Sequence, residues 1–278
     1  MFWFLGSGEL MDSVISSNAI LCAGYILLLS SSMLVGILIG KKAPSKWKYG
    51  AFAGLFVLFF SVILQVFLPE YEIQYITWPD YVFFRDWYFV GAFIVFGIGI
   101  TKIDPGTRRS LFIFVMFIIF LKAGLWWQKL YNLDFKFTER GTVDGVCRQS
   151  TGYTCVPACC VTLMTSIGIA ASEIEMAELC LTMQASGTAD IEAVRGLRLK
   201  LAGTGRRVRI SRCTWNEFLK IPKPCLVSVK LAENLNHMIT VSGVSGEIVE
   251  VGDPLIGKTA LLKDDFQEKW FERAIWVE

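Results

Sequence analysis

The chain has 278 residues, a formal net charge of +2, and a composition that is 54% hydrophobic but only 19% charged. Soluble domains average roughly 25% charged residues, so this composition excludes a fully water-soluble chain, a disordered chain and a nucleic-acid binder that acts through bulk positive charge. Residues 14–130 are almost continuously apolar, whereas residues 139–278 have the composition of an ordinary soluble domain. We therefore expect a transmembrane domain at 1–138 and a separate soluble domain at 139–278.

Several apolar stretches of the first half are long enough to be membrane helices. A helix needs about 20 apolar residues to cross a hydrocarbon core of about 30 Å. The sequence predicts about four spans, at 14–40, 50–68, 84–101 and 111–130. No polar face recurs at helical spacing, which disfavours the alternative of a soluble four-helix bundle. Trp and Tyr residues lie at the ends of the stretches, as is typical of side chains at a membrane surface.

Loop charges predict the orientation of these spans. The loops after the first and third spans are basic, with Lys41, Lys42, Lys46, Lys48, Lys102, Arg108 and Arg109. The loop after the second span holds Glu70, Glu72 and Asp80. The positive-inside rule places the basic loops in the cytoplasm, so four crossings put the C-terminal domain outside it. Residues 1–13 contain no lysine or arginine, unlike a signal peptide, and the first helix is expected to remain as an anchor.

The soluble half is predicted to place helices before strands. Expected helices lie at 155–167, 173–183, 189–201, 214–220 and 264–270. Expected strands lie at 208–210, 225–230, 237–244, 247–251, 259–262 and 274–277. The second helix begins with a capping box, in which Ser172 and Glu175 have the required spacing. Helices followed by antiparallel strands predict an α+β domain.

The soluble half holds seven of the eight cysteines and the single histidine of the chain. Cys155 is the best candidate nucleophile, because it would open a helix with Pro157 in the first turn, and a helix N-terminus stabilises a thiolate. His237 is the single imidazole that is able to act as its base. Gln149, six residues before Cys155, has an amide that is able to donate a hydrogen bond to an oxyanion. A buried or disulfide-bonded role is the alternative for Cys155.

A predicted hairpin brings a carboxylate to the histidine. The segments that begin at His237 and end at Asp253 both alternate between apolar and other residues, around a turn at Gly246. A three-residue loop would place Ile239 opposite Val251 and His237 opposite Asp253. A carboxylate there would orient the imidazole, as the third member of a triad does. The alternative is a lone histidine at a strand end beside an Asp-Pro turn.

Two other motifs carry little weight. Residues 252–259 fit the G-x-x-x-x-G-K-[ST] phosphate-loop pattern, but no helix is predicted to start at Lys258, so we interpret the match as chance. The cysteines include no C-x-x-C pair, which makes a zinc site a weak hypothesis. Apart from Cys155, the six cysteines of the domain are enough for up to three disulfides outside the cytoplasm. The proposed chemistry requires no metal or nucleotide cofactor.

The residues around these candidates resemble the bacteriocin-processing peptidase family, which comprises papain-like double-glycine leader peptidases that are often fused to peptide-exporting ABC transporters. The similarity lies in Gln149-Ser-Thr-Gly-Tyr-Thr-Cys155-Val-Pro-Ala158, Asn236-His237, Gly252-Asp253-Pro254, and Phe266 with Trp270. It covers 145–278. The resemblance implies a papain-like fold, with Cys155 as nucleophile, His237 as general base, Asp253 as its orienting partner and Gln149 as oxyanion donor.

The chain departs from the family pattern at Val156, where the family usually has glycine, and a bulkier residue there would narrow the cleft or slow the enzyme. The sequence also contains no ABC ATPase, and the predicted topology places the domain outside the cytoplasm, whereas the transporter-fused peptidase domains are cytosolic.

The sequence therefore predicts a membrane-anchored cysteine peptidase that cleaves a peptide or protein precursor near a membrane surface. We expect it in a bacterial inner membrane, in contact with lipid and not with nucleic acid, and a translocon, an exporter or a secretion system is a candidate partner. Three alternatives remain: a papain-fold amidase or acyltransferase with the same triad, an inactive domain that binds leader peptides, and a channel or transporter with an accessory domain.

Overall fold

The computed structural model describes residues 7–42, 47–131, 135–233 and 235–278. Lys46 of the first basic loop lies outside the described residues. The chain forms two compact units. The first comprises Met1–Pro69 and Asp80–Tyr131, and the second comprises Glu70–Pro79 and Asn132–Glu278.

Helices make up the first unit, and a sheet is the centre of the second. The described helices are α1 (Ser7–Lys42), α2 (Trp47–Phe67), α3 (Pro69–Tyr75), α4 (Tyr81–Phe84), α5 (Tyr88–Ile100), α6 (Pro105–Tyr131), α7 (Cys155–Ser166), α8 (Glu173–Leu179), α9 (Asp190–Lys200), α10 (Trp215–Phe218) and α11 (Lys263–Lys269). The described strands are β1 (Thr142–Val143), β2 (Val146–Cys147), β3 (Val208–Arg212), β4 (Cys225–Ala232), β5 (Leu235–Ser245), β6 (Ile248–Asp253), β7 (Gly257–Leu262) and β8 (Trp270–Val277).

The prediction of four membrane spans is not confirmed. By length and composition, two stretches of the described helices are able to cross a bilayer, Ala23–Lys42 and Trp47–Phe67. Helix α5 has 13 residues and is about 20 Å long, which is shorter than the hydrocarbon core. The charged pair Arg85 and Asp86 lies in a turn before it and shortens the predicted span. The last predicted span lies in α6, whose side chains after Gly124 are outside the described residues.

Glycines allow α5 to approach α1 and α2 closely. A Cβ atom on Gly97 would lie 2.3 Å from the Met33 carbonyl oxygen of α1. A Cβ atom on Gly91, on the same helix, would lie 2.3 Å from the Gly54 carbonyl oxygen of α2. Small residues at such contacts let helix backbones touch, which is the packing typical of helices in lipid.

The second unit has the predicted α+β architecture. Its described strands include a six-stranded antiparallel sheet in the order β3-β8-β4-β5-β6-β7 and a separate hairpin of β1 and β2. The helices α7, α8 and α9 precede the large sheet in the chain, as the sequence predicts. The predicted capping box is present at the start of α8, where the Glu175 N–H donates to Ser172 Oγ at 3.2 Å.

The sheet separates two apolar clusters, because successive strand residues point to opposite faces. Leu226 and Met238 pack with α7, α8 and α9 in the first cluster. Their neighbours Val227 and Ile239 belong to the second cluster, which also contains side chains of α10 and α11. Phe218 of α10 is fully buried there against the rings of α11 and β8. Both faces of the sheet are therefore covered.

The predicted register of the β5–β6 hairpin is wrong by two residues near its open end. Val251 lies opposite Val241 rather than Ile239. Ser245 pairs with Ile248, so the turn has two residues and not three, and a bulge between Val241 and Gly243 takes up the difference. A shift of two residues leaves the side chains at the open end on their predicted faces, because side-chain direction repeats every two residues. Between the bulge and the turn the faces differ from the prediction, since Val244 pairs with Val249 and packs against the same cluster.

A segment between the apolar helices completes the second unit. Ile73 of α3 is 5% exposed and belongs to the first apolar cluster. The Arg198 guanidinium of α9 donates to the Ile73 and Ile76 carbonyl oxygens at 2.6 and 2.8 Å, which satisfies acceptors at the C-terminal end of α3. The Ile210 N–H of β3 donates to Gln74 Oε1 at 3.1 Å. Residues 70–79 are therefore a structural part of the sheet-containing unit.

Candidate active site

The N-terminus of α7 carries Cys155 as its first residue. Pro157 occupies the first turn, where a missing N–H costs no helical hydrogen bond. The Cys155 sulfur lies within hydrogen-bonding reach of the His237 side chain and of the backbone N–H groups of Met238 and Val156. The sulfur therefore faces several donors, and such surroundings favour the thiolate over the thiol.

His237 connects this sulfur to a carboxylate. Its Nε2 atom lies 2.9 Å from Oδ1 of Asp253. Because Nε2 faces the carboxylate, Nδ1 is the ring nitrogen that remains for Cys155. The His237 side chain is only 4% exposed, and Asp253 Oδ1 also accepts the Leu255 N–H at 2.8 Å. The structure thus brings Cys155, His237 and Asp253 together in one site, although Asp253 is not directly opposite His237 in the hairpin.

The pKa values of the three groups indicate a preformed ion pair. Burial raises the pKa of Cys155, but hydrogen bonds from His237, Met238 and Val156, with the imidazolium charge, hold that pKa below its ordinary value. Burial lowers the pKa of His237, but its bonds to Asp253 and Cys155 and their negative charges raise that pKa to about 9. Burial raises the pKa of Asp253, but the hydrogen bonds that its carboxylate accepts have the larger effect and hold that pKa below its ordinary value. The opposite shifts of the Cys155 and His237 pKa values therefore favour thiolate and imidazolium as a coupled pair.

Other cysteines of the domain lack this environment. Burial raises the pKa of Cys147 and Cys225 to about 12 and that of Cys213 to about 11. Burial also raises the pKa of Cys159 well above its ordinary value, and its S–H donates to the Met238 carbonyl oxygen at 3.2 Å. These thiols are protonated at neutral pH, so Cys155 is the reactive candidate among them.

The cysteines of the described domain are all free thiols, in contrast to the up to three disulfides that their number allows. They lie in the two apolar clusters on opposite faces of the sheet. An even number of cysteines in the sequence therefore does not mean that they form one group able to pair.

Gln149 lies in the loop between β2 and α7, with its side chain 4% exposed. Its backbone N–H donates to the Pro254 carbonyl oxygen at 2.9 Å, so the loop is bonded to the turn that follows Asp253. Its Nε2 atom donates to the Thr151 carbonyl oxygen at 2.7 Å. Oε1 is buried with no hydrogen-bond partner among the residues that the structure describes. A side-chain amide has two N–H donors, so one remains for a ligand.

Val156 does not line a cleft. Its side chain is 4% exposed and packs in the first apolar cluster. Consecutive helical residues point about 100° apart, so the residue after Cys155 turns into the protein while Cys155 faces His237. The residue that replaces the family's usual glycine therefore adds core packing, and the expectation that it narrows the cleft is wrong for this structure.

The segment that matches the phosphate-loop pattern forms a strand-turn-strand unit. Gly252 and Asp253 end β6, and Lys258 and Thr259 lie in β7. No helix begins at Lys258 in the described structure, although a phosphate loop leads into a helix at its lysine.

Two contributors to the site escape sequence reasoning. Met238 acts through its backbone, which donates to Cys155 and accepts from Cys159, and a backbone contact has no residue-type signal. Glu173 is recognisable in the sequence only as an acid in the first turn of α8. In the structure it is 1% exposed and accepts the Ser150 N–H at 2.8 Å, a contact between residues 23 positions apart.

The second half of the chain is similar to known proteins. Residues 145–278 match the sequence model of the Peptidase C39 family. An uncharacterised protein of Methanothermobacter marburgensis is 28% identical over 133 residues, which are 48% of this chain and 87% of that protein. A second uncharacterised protein, from Methanothermobacter thermautotrophicus, is 27% identical over 130 residues, which are 47% of this chain and 85% of that protein.

Solved structures with a similar backbone include peptidase domains of transporters. The peptidase domain of Streptococcus ComA, a bifunctional ABC transporter involved in quorum sensing, has a TM-score of 0.43 and 23% identity over 48% of this chain and 96% of that domain. A double glycine motif protease from an AMS/PCAT transporter, in complex with its leader peptide, has a TM-score of 0.43 and 16% identity over 50% of this chain and 93% of that protein. The family match covers every residue of the site, and residues 145–278 are therefore a Peptidase C39 domain, a cysteine peptidase.

Proposed function

We propose that the protein is a membrane-anchored cysteine peptidase that cleaves a peptide or protein precursor through Cys155, His237 and Asp253. The observation that carries this proposal is the chain of contacts from the Cys155 sulfur to the His237 ring and from Nε2 to the carboxylate at 2.9 Å. A nucleophile, a base and an orienting carboxylate in this order form the arrangement used for acyl transfer on unrelated folds.

The reaction follows from these positions. The Cys155 thiolate attacks the peptide carbonyl carbon, and the carbonyl oxygen becomes an oxyanion. The remaining Nε2 hydrogen of Gln149 and a backbone N–H at the start of α7 would stabilise that charge. The His237 imidazolium gives its proton to the amine as the carbon–nitrogen bond breaks, which leaves a thioester. The neutral imidazole then takes a proton from water, the resulting hydroxide attacks the thioester, and thiolate and imidazolium are restored.

Family membership favours a precursor with a double-glycine leader as the substrate. The half-buried position of Cys155 agrees with a substrate that has small residues at the cleavage site, because Gly-Gly lets the backbone approach a partly covered sulfur closely. A precursor emerging from a translocon, an exporter or a secretion system would present such a segment as an extended chain.

The first unit supports anchoring in a membrane. Large apolar side chains of α2 and α6 are exposed, with exposed fractions of 71% for Phe52, 73% for Phe67, 61% for Phe117 and 67% for Phe120. Large apolar side chains exposed in this number are unfavourable in water and suit contact with lipid. Together with the length of Trp47–Phe67, it supports insertion of the unit as a lipid-facing anchor.

Charge on either side of α2 supports an extracytoplasmic peptidase domain. Lys41, Lys42 and Lys48 lie before or at the start of α2, whereas Glu70 and Glu72 follow its end. The positive-inside rule then places residues 70–79 outside the cytoplasm. Since these residues belong to the same compact unit as the peptidase domain, the domain would lie on that side as well.

The decisive test of activity is the Cys155→Ala variant of the full chain, compared with Cys213→Ala. Both changes remove one thiol, but only Cys155 contacts His237. We expect the Cys155 variant to lose all measurable cleavage of a synthetic Gly-Gly leader precursor and the Cys213 variant to retain it. Cleavage at the wild-type rate by the Cys155 variant would contradict the proposal.

The orientation is tested separately with a reporter fused after Glu278. Alkaline phosphatase folds into an active enzyme only outside the reducing cytoplasm, so we expect high phosphatase activity from this fusion. A matched fusion of a fluorescent protein that matures in the cytoplasm should be dark. The reverse result would place the peptidase domain in the cytoplasm without affecting the proposed chemistry.

A further inference from the structure

Glu173 is a buried carboxylate that the proposed reaction does not use. It is the first residue of α8 and is 1% exposed. Its Oε1 atom accepts the Ser150 N–H at 2.8 Å, and its Oε2 atom accepts the Ser150 hydroxyl at 2.5 Å. Burying a carboxylate is costly unless hydrogen bonds replace its water, and here both oxygens bind the same residue. The carboxylate therefore holds Ser150 at two points.

Ser150 lies next to Gln149, and the same loop is held from other directions. The Ser150 hydroxyl oxygen accepts the Arg140 N–H at 3.0 Å while its hydrogen is donated to Glu173. The Gln149 N–H donates to the Pro254 carbonyl oxygen at 2.9 Å. Contacts to three separate parts of the chain thus converge on two consecutive residues, and only the one to Glu173 involves a charged group.

The second half of the loop is held by its own side chains. Thr154, which is fully buried, accepts the Thr151 N–H at 3.1 Å, and its hydroxyl lies 3.0 Å from the Thr151 hydroxyl. This half leads directly into α7 and Cys155. Loss of Glu173 would therefore release the Gln149 end of the loop, while the Cys155 end keeps its own contacts.

We propose that Glu173 is a positioning residue that holds the Gln149 loop in the geometry needed to stabilise the oxyanion, an inference that rests on the peptidase function proposed above. Oxyanion donors act only over a narrow range of positions, and a misplacement of about 1 Å lowers a rate by roughly a hundredfold. The thiolate is stabilised instead by His237 and by Met238, neither of which contacts Glu173. Glu173 should accordingly affect oxyanion stabilisation and not thiolate formation.

Two probes of the full-length protein separate these steps. Iodoacetamide alkylates Cys155 by displacement of iodide, so its rate reports the thiolate and involves no oxyanion. The aldehyde acetyl-Gly-glycinal forms a bond between the Cys155 sulfur and the aldehyde carbon, and the aldehyde oxygen takes the position and charge of the oxyanion. Its inhibition constant is obtained from the slowing of Cys155 alkylation, which is measured by peptide mass spectrometry so that the other cysteines do not interfere.

We expect Glu173→Ala to weaken aldehyde binding at least about tenfold and to leave the alkylation rate within about twofold of the wild type. Glu173→Gln keeps an oxygen acceptor for the Ser150 N–H and should restore most of the lost affinity. The control is Glu175→Ala, which removes the capping box of α8 but makes no contact with Ser150. This variant should have a lower melting temperature than the wild type, but the same alkylation rate and the same inhibition constant for the aldehyde.

The inference is overturned if Glu173→Ala binds the aldehyde as tightly as the wild type, or if alkylation and aldehyde binding fall by the same factor. Should Glu173→Ala fail to fold, Ser150→Ala removes the hydroxyl contacts to Glu173 and to the Arg140 N–H but keeps the bond from the Ser150 N–H to Glu173. This variant must bind the aldehyde several-fold more weakly than the wild type for the inference to stand. If alkylation of Cys155 in the wild type is no faster than in His237→Ala, the proposed function fails as well. If Cys155 of the wild type is alkylated faster than in His237→Ala but Glu173→Ala leaves aldehyde binding unchanged, only the positioning role is rejected.

Discussion

Cys155 and His237 shift each other's ionisation in opposite directions. Hydrogen bonds and the imidazolium charge hold the pKa of the Cys155 thiol below its ordinary value, and Asp253 together with the thiolate raises the pKa of His237 to about 9. These opposite shifts favour a nucleophilic thiolate and a proton-donating imidazolium in the same site. The side-chain pair, rather than either residue, is therefore the unit of function.

This pairing predicts the pH dependence of peptide cleavage. As pH rises, kcat/KM should increase while the thiol of Cys155 ionises, at a pH below that of an ordinary thiol. It should fall again near pH 9, because the His237 imidazolium loses the proton that the leaving amine needs. Iodoacetamide alkylation needs no proton donor and should not fall at the alkaline limit. Parallel loss of both rates near pH 9 would contradict this assignment.

Asp253 determines where the alkaline limb lies. Replacing it by Asn keeps the shape of the side chain but removes the negative charge, so the pKa of His237 should fall and the alkaline limb of the kcat/KM profile should move down by about one to three pH units. The matched control is Asp264→Asn, which neutralises an exposed carboxylate in the first turn of α11. The control profile should overlay that of the wild type.

At the scale of elements, the position of α5 between α1 and α2 depends on its glycines. Gly97→Ala would place a methyl group 2.3 Å from a backbone oxygen of α1, so we expect a loss of about 1–3 kcal/mol in the stability of the helical unit. Gly99 lies on the same helix with nothing within 4 Å of a Cβ atom. Gly99→Ala should therefore be neutral or slightly stabilising, because alanine favours a helix more than glycine does.

Thermal unfolding of both variants in detergent measures this difference. Equal melting temperatures for the two variants would show that α5 does not pack closely against its neighbours.

A second element, α3, is held to the sheet-containing unit by Arg198. Arg198→Ala removes two hydrogen bonds from a charged donor to the carbonyl oxygens of Ile73 and Ile76, and should cost about 2 kcal/mol of stability. The segment should then open locally, and chymotrypsin should cleave faster after Tyr75. Lys269→Ala removes an exposed cation on α11 and serves as the control, with no change in cleavage expected. Cleavage rates that do not differ would contradict a structural role for the segment.

At the scale of the whole molecule, the chain enters the peptidase unit twice. Residues 70–79 join it from between two apolar helices, and the segment after residue 132 completes it. The peptidase unit is thus connected to the apolar unit through three chain crossings between the two units rather than through a single linker. A fragment that starts after residue 135 would lack Ile73 of the apolar cluster and the acceptors of Arg198.

The sequence by itself determined the features that depend on local pattern and on the presence of a single histidine. The contrast between an apolar and an ordinary half, the order of helices and strands, and the capping box at Ser172 all follow from composition and from spacings of a few residues. A single histidine left one imidazole for Cys155, and Asp253 was identified from strand alternation combined with a family resemblance. These inferences hold because hydrophobic period and helix capping act over one or two turns of chain.

Only the tertiary structure decided the features that depend on contacts between distant residues. The β5–β6 register differs from its prediction because a bulge and a two-residue turn take the place of a regular three-residue loop, and alternation along the strands does not distinguish the two arrangements. Incorporation of α3 into the peptidase unit, the burial of Val156 and the bonds from Glu173 to Ser150 likewise have no local signal. Each joins parts of the chain whose proximity arises only when the apolar clusters on the two faces of the sheet are buried.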